Sequence, residues 1–338
     1  MKPRWEDVDA RARGLATHLL TRGQLASLAQ APDAAALADG LRRAGFAVTE
    51  EGAAVSPAAL DLAVRRAAAG QLRLLAAWCG PRATVLAVVF EDEDRRSLRA
   101  ILRGTAQRAP AEARLAGLIP TPALPERALR ELASQPTPAA VAALLTAWKH
   151  PYGPALRSLT TSTNADLLRM EVAINRRFAE RALAGARRSG RGEVLVRYVR
   201  DAIDLENANA ALVLAGGNRE LSGADLFLPG GGRLTPAAFE RAAAAPDAAA
   251  AAKRLAEVFA KPATSPLAEV FRRIAGDPGG IEDAALRVHI RSLMHEQRRA
   301  PLGPAPVLAY ALRLRAQVLD LRRLIWGIAL GAPVGALR

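Results

Sequence analysis

Apolar positions recur at helical spacing along most of the chain. Leu98, Ile101 and Leu102 fall on one helix face, as do Leu308, Leu312 and Leu319. Strand-like alternation is weak and confined to residues 84–90, which read as the first turns of a helix. Helix-start signals are frequent. Ser56, Thr137 and Thr235 each precede a proline. The hydroxyl accepts from an otherwise unbonded N–H, and proline has no N–H to lose at the first helical position. Asp33 and Asp247 can cap in the same way. The pattern predicts long helices over 57–78 and 90–104, 163–188 and 192–216, and 281–298 and 305–328, with a further one over 6–21. Ser189-Gly190-Arg191-Gly192 and Ala300-Pro301-Leu302-Gly303-Pro304 read as the hinges of the second and third pairs.

Two elements repeat with a common period. The first is a short apolar run, a proline, a capping residue and a second apolar run. It occurs with Leu28, Pro32, Asp33 and Leu37, with Leu132, Pro136, Thr137 and Val141, and with Ala242, Pro246, Asp247 and Ala251. The prolines lie 104 and then 110 residues apart. The second element opens at Leu98, Ala208 and Leu321, at intervals of 110 and 113 residues. A repeat of about 110 residues predicts an all-α fold of three similar helical bundles. The expected boundaries are 1–55, N-terminal helices completing the pseudo-threefold; 56–160 and 161–265, the first and second bundle units; and 266–338, a C-terminal helix pair.

Composition sharpens the class. The chain has 338 residues, 51% apolar and only 4% aromatic. That apolar content excludes a disordered chain. Few aromatic and β-branched residues argue against an all-β fold. A single cysteine, Cys79, excludes a disulfide scaffold and a cysteine-cluster metal site. The most apolar window, 72–90, contains Arg73, Gly80, Pro81 and Arg82, too many breaks for the roughly 20 clean residues of a membrane span. No apolar stretch follows Lys2 and Arg4, so the N-terminus does not read as a secretory signal, and a cytoplasmic location is expected.

The net charge is +14, from 47 basic and 33 acidic residues. Such a charge suits nucleic acid, a membrane surface or an acidic protein partner. Yet the only lysines are Lys2, Lys149, Lys253 and Lys261, and a chain rich in alanine and arginine is also what GC-rich codon usage produces. Both readings stand.

No catalytic, cofactor-binding or metal-binding residue is expected. His18 and His150 are isolated, and His289 and His295 are six apart, not the three or four that puts two ligands on one helix face. Glu91, Asp92, Glu93 and Asp94 are the densest acidic run. A Mg²⁺-dependent all-α enzyme would want a second cluster, so the run reads as the acidic start of a helix. Gly230-Gly231-Gly232-Arg233 lacks the lysine and hydroxyl of a phosphate loop and reads as the loop before the Thr235 cap. The hydroxyls of residues 158–163 read as a linker, and Cys79, with no adjacent base, as a buried or incidental thiol. Arg95, Arg96, Arg99 and Arg103 form a basic strip on one helix, and Arg313, Arg315, Arg322 and Arg323 another. Each is a solvated face or a contact surface for an acidic partner. A nucleic-acid reading lacks a recognition motif and an aromatic stacking set.

Several stretches resemble the C subunits of the V/A-type rotary ATPases, the family that includes the d subunit of the eukaryotic V-ATPase. Tyr198 followed by Asp204-Leu205-Glu206-Asn207 resembles the family's tyrosine and aspartate-x-x-asparagine pattern. Asp94 to Gly104 resembles its first copy, with Ser97 where asparagine is usual. Tyr310, Leu321, Arg322 and Gly327 resemble the C-terminal helix, with Arg315 and Gln317 in place of acidic residues and Ile328 in place of a lysine. Ala10 to Arg13 with Leu19 and Leu20 resemble the N-terminal helix, and Met170, Glu171, Val172 and Ile174 the helix before the second copy. The resemblance implies a funnel of three helical bundles and a non-catalytic central-stalk component. Its implied partners are the D and F subunits of the shaft and the proteolipid ring at the cytoplasmic membrane face, with anionic lipid headgroups as a further surface. It implies no nucleic acid and no cofactor. The repeated helices make Arg99, Arg103, Asp204, Asn207 and Arg322 the candidate scaffold or interface residues.

Overall fold

The computed structural model describes residues 5–49, 55–159, 167–188, 193–217, 223–260, 267–273, 280–299 and 302–332. Of these, 77% are helical and none is in a strand, so the fold is all-α. The hinge residues 189–192, 300 and 301 and the hydroxyls 160–163 lie outside the described residues.

Long helices form the frame. They are α4 (Pro57–Cys79), α5 (Thr84–Ala106), α10 (Leu167–Arg188), α11 (Glu193–Leu214), α16 (Ile281–Arg299) and α17 (Ala305–Ala329). Shorter helices precede and link them: α1 (Glu6–Ala16), α2 (Arg22–Leu28), α3 (Ala34–Arg43), α6 (Ala111–Leu115), α7 (Glu126–Ala133), α8 (Pro138–Ala147), α9 (Gly153–Arg157), α12 (Gly223–Leu226), α13 (Pro236–Ala243), α14 (Ala248–Phe259) and α15 (Leu267–Arg273). The predicted 6–21 helix is divided. Thr17 Oγ1 bonds back to the Gly14 carbonyl at 2.7 Å, and Thr21 restarts the chain as the cap of α2, in a capping box with Gln24.

The apolar stretch 57–106 is long and apolar enough to cross a membrane by length and composition alone. A 3₁₀ turn at Gly80–Ala83 breaks it into α4 and α5. Leu60, Leu72, Leu75, Leu86 and Val89 are then core residues. α17 packs against both, with Tyr310 Oη bonded to Gln71 on α4 and Arg315 to Glu93 on α5.

Side-chain pairs fix the helix directions. Glu91 meets Arg181 and Arg103 meets Glu171, so α5 and α10 run antiparallel. Tyr198 meets Asp92 and Glu206 meets Arg99, so α5 and α11 run parallel. Arg197 meets Glu296 and Asp201 faces His289, so α16 runs against α11. The starts of α5 and α11 and the ends of α10 and α16 therefore share one end of the bundle. Arg187, Arg188, Arg298 and Arg299 are exposed there.

Two apolar cores meet along α11. Leu195, Val199 and Ile203 belong to the core built with α1, α4, α5, α10 and α17. Leu205, Ala211 and Leu212 belong to one built with α13, α14, α15 and the start of α16. The three short helix pairs pack on three different long helices: α2–α3 on α17, α7–α8 on α5, and α13–α14 on α11. Within each pair the second helix starts the same way. Asp33, Thr137 and Asp247 accept from the backbone N–H of Ala36, Ala140 and Ala250, at 2.8, 3.2 and 2.7 Å. Each cap satisfies one N–H that the helix cannot. Replacing Asp33, Thr137 or Asp247 singly by alanine is expected to cost about 1 kcal/mol in urea unfolding. Three unchanged midpoints would contradict this account of the caps.

Candidate functional site: a buried ionic lattice and an arginine-lined cavity

The acidic run does not start a helix. Glu91 to Asp94 sit in the middle of α5, which begins at Thr84, and Asp92, Glu93 and Asp94 are buried. Nor is the arginine strip a solvated face, since Arg95 and Arg99 are buried with them. Residues 92–103 turn one charged stripe of α5 toward α10, α11 and α17, and oppositely charged groups on those helices meet it.

Arg95 is the centre. It is 1% exposed, yet each of its three guanidinium nitrogens has a partner. Its Nε and Nη2 donate to Asp92, at 3.0 and 2.7 Å, and Nη1 donates to Asn175 of α10 and to Glu206 of α11. Its guanidinium lies 4.7 Å from the Phe178 ring centroid. One turn further, Arg99 Nη1 holds both Glu206 oxygens at 2.8 and 2.9 Å, and its Nε reaches Glu171 of α10. Arg103, half-exposed, forks onto Glu171 at 2.5 and 2.6 Å. Arg96 pairs with Asp92 and with Glu282 of α16.

These pairs set the protonation states. Burial disfavours the Glu206 carboxylate, but Arg95 and Arg99 outweigh it and hold its pKa at about 2. Burial works against Asp92 in the same way, and Arg96 and Arg95 still hold it below the carboxylate range. Asp94 goes the other way. Burial, with Glu91 and Glu93 nearby, pushes it up to about 7 against the Thr121 hydroxyl bond.

Asp204 and Asn207, on α11, bind backbone. Asp204 accepts from the N–H groups of Gly232, Arg233 and Leu234 at 3.0, 2.9 and 3.1 Å. Burial raises its carboxyl to about 6, against those three bonds. Asn207 pairs with both the N–H and carbonyl of Leu228. The glycine loop is thereby held on α11 ahead of the Thr235 cap. Similar anchors recur one period away. On α5, Asp94 accepts from Thr121 Oγ1 at 2.5 Å, which also binds the Leu124 N–H ahead of α7. On α17, Gln317 accepts from the Leu20 N–H at 2.6 Å, ahead of α2. Three long helices thus each present an oxygen to the segment that leads into a short helix pair.

Arg322 lies apart from this lattice. It is exposed on α17, and its stem packs over Gly117, whose positive φ of 73° suits glycine and whose Cβ would lie 2.7 Å from Arg322 Cδ. It lines a cavity of about 470 Å³ between α5, α6, α16 and α17, with Arg96, Arg99, Arg103, Arg114 and Arg315. Among the described residues no His, Cys, Asp or Glu cluster could hold a metal ion. His289 and His150 are buried, each held at a pKa of about 4 by that burial. Cys79 is buried, and burial pushes its thiol to about 11.

The sequence pattern alone does not single out the lattice partners Glu171, Asn175, Glu206 and Arg315 as a set. Their signal is present in part: Glu206 lies inside the aspartate-x-x-asparagine motif, and Glu171 in the stretch matching the preceding helix. Burial is the missing information.

Such a molecule is an all-helical protein in which buried charge joins the helices. The sequence profile of the ATP synthase (C/AC39) subunit family matches residues 8–338, and the chain belongs to that family. Its members are components of the V/A-type ATPases, multi-subunit complexes associated with membranes. No curated protein matches the chain significantly.

Removing one charge from the lattice leaves others buried without a partner. Glu206→Gln is expected to destabilise the protein by about 3–5 kcal/mol, whereas Glu180→Gln, in an exposed pair with Arg177, should change it by less than about 1 kcal/mol. Equal urea midpoints for the two variants would refute a structural role for the lattice. Asp94 supplies a pH test. Its folded pKa of about 7 exceeds the unfolded 3.8, so its contribution is full below 3.8 and is lost as pH rises through about 7. Asp94→Asn should therefore gain on the wild type over that window. A stability difference that does not vary with pH would count against the buried, protonated carboxyl.

Proposed function

We propose that the protein is the central-stalk rotor component of its ATPase, a non-catalytic coupling between the D and F subunits of the shaft and the proteolipid ring. The observation that carries the reading is the buried lattice joining α5, α10 and α11, within a chain whose family is a rotary-ATPase component. A part that transmits torque must resist shear between its helices. Charge pairs of fixed geometry resist sliding better than apolar contacts, which are non-directional. In this reading Arg99, Arg103, Asp204 and Asn207 are scaffold residues, and Arg322 is an interface residue.

The repeated anchors support three units and a funnel-like arrangement. The oxygens of Asp94, Asp204 and Gln317 hold equivalent segments, and α2–α3 serve α17 as α7–α8 serve α5. In this arrangement the N-terminal 1–55 region completes the unit begun by 266–338, and 56–160 and 161–265 form the other two. Arg187, Arg188, Arg298 and Arg299, gathered at one end, suit the acidic surface of ring loops or anionic headgroups at the cytoplasmic face. The nucleic-acid reading loses support, since Arg95, Arg96, Arg99 and Arg103 are engaged by carboxylates.

Purification of the tagged protein from its native membranes in mild detergent tests the proposal. Mass spectrometry is expected to find a proteolipid, shaft subunits and nucleotide-binding subunits in the same fraction. A protein recovered alone or with nucleic acid, from cells that express such an ATPase, would overturn it.

A further inference from the structure

The cavity between α5, α6, α16 and α17 has an unbalanced charge. Six arginines and only two glutamates, Glu93 and Glu282, line its wall. The carboxylates behind the wall do not restore balance. Glu93 is paired with Arg315, Glu282 and Asp92 with Arg96, Asp92 and Glu206 with Arg95, and Glu171 and Glu206 with Arg99 and Arg103. Seven arginines, counting Arg95, thus face five carboxylates, and two positive charges are left over.

The surplus can be assigned. Arg114 gives its N–H groups to neutral carbonyls, those of Ala109, Ala133 and Gln135, at 2.6–2.8 Å. Its stem packs against Gly104, so it is held in place without a counter-charge. Among the described residues Arg322 has no hydrogen-bond or ion-pair partner. Asp61, the carboxylate that acts on it, is already bonded to Arg65 and to the Gly117 N–H. Although Arg322 is exposed, partial desolvation where it lies against the cavity wall lowers its pKa, and Arg315 and Arg323 push the same way against Asp61. On the same wall Arg315 Nε is buried with no partner. Two cations without anions, Arg114 and Arg322, thus share one space.

We propose that this cavity binds a phosphate-class oxyanion carrying two or more negative charges, with Arg322 as a principal ligand and Arg114 supplying the second uncompensated charge. A guanidinium fork matches phosphate oxygens two at a time, and the remaining arginines, tied to Glu171, Glu206 and Asp92, are preorganised walls. The volume of about 470 Å³ exceeds that of one phosphate, and leaves room for a diphosphate or the phosphate end of a nucleotide. Arg322 also serves the proposed interface, and titrating the chain without its partners tests the anion site separately from the shaft reading.

Isothermal titration of the full chain with inorganic phosphate, pyrophosphate and ADP, at matched ionic strength, is the test. Pyrophosphate is expected to bind at one equivalent. Comparison of the other two ligands separates a free-anion site from a nucleotide site. Arg322→Gln removes the unpartnered cation, and Gln107→Glu adds a carboxylate to the cavity wall. Each should weaken pyrophosphate binding at least about tenfold, with unfolding midpoints near the wild type. The paired change Arg241→Gln with Lys253→Gln removes exposed charge on α13 and α14, away from the cavity, and should leave binding unchanged. The proposal is overturned if pyrophosphate gives no saturable heat, if either cavity variant binds as tightly as the wild type, or if the distant pair weakens binding as much as Arg322→Gln.

Discussion

A guanidinium cannot be taken out of water by itself. Arg95 is almost completely buried, and three helices supply what water would have supplied: Asp92 from its own helix, Asn175 from α10 and Glu206 from α11. The rest of the central bundle follows from that requirement. Glu206 is itself buried, so it needs Arg99; Glu171 is buried, so it needs Arg99 and Arg103. Each charge in the interior commits a partner on another helix at a fixed height along the axis. An apolar seam can slide by a turn at modest cost, whereas this one leaves unpaired charges if it slides. The lattice therefore sets the register of α5 against α10 and α11 as well as contributing to their contact.

A second device works where the short helix pairs begin. The oxygens of Asp94, Asp204 and Gln317 meet the segments that enter the three short helix pairs. Chemistry differs among the three while geometry persists. Asp204 takes three backbone N–H bonds, Asp94 takes a hydroxyl, and the amide oxygen of Gln317 takes one N–H. An acceptor is needed at that place because the incoming turn brings donors with no strand or helix partner. A full charge is not needed, which explains why glutamine serves in α17.

Much of the fold is legible in the sequence. Helical spacing locates the long helices to within a few residues, except that α5 starts six residues before the expected 90, and hydroxyl or aspartate caps locate the starts of α4, α8, α13, α3 and α14. Those signals are local, since a cap and its N–H are three residues apart. The 6–21 prediction runs too long because apolar spacing alone passes over the capping box of Thr21 and Gln24, although that pattern is equally local. Asp204 and Asn207 stand out by motif, but that they bind the 228–234 segment requires the chain to fold back on itself.

The charged stripe of α5 marks the boundary between the two kinds of knowledge. The sequence by itself determined that the protein is helical, where its capped helices begin, and which family pattern it carries, because each depends on spacing along one chain. It could not determine whether Glu91 to Arg103 face water or the interior. Charges at helical spacing make a solvated face when nothing opposes them and a buried lattice when Glu171, Glu206, Glu282 and Arg315 do. Those partners lie on other helices, and only their packing together decided that the most polar stretch of the chain would become part of its centre.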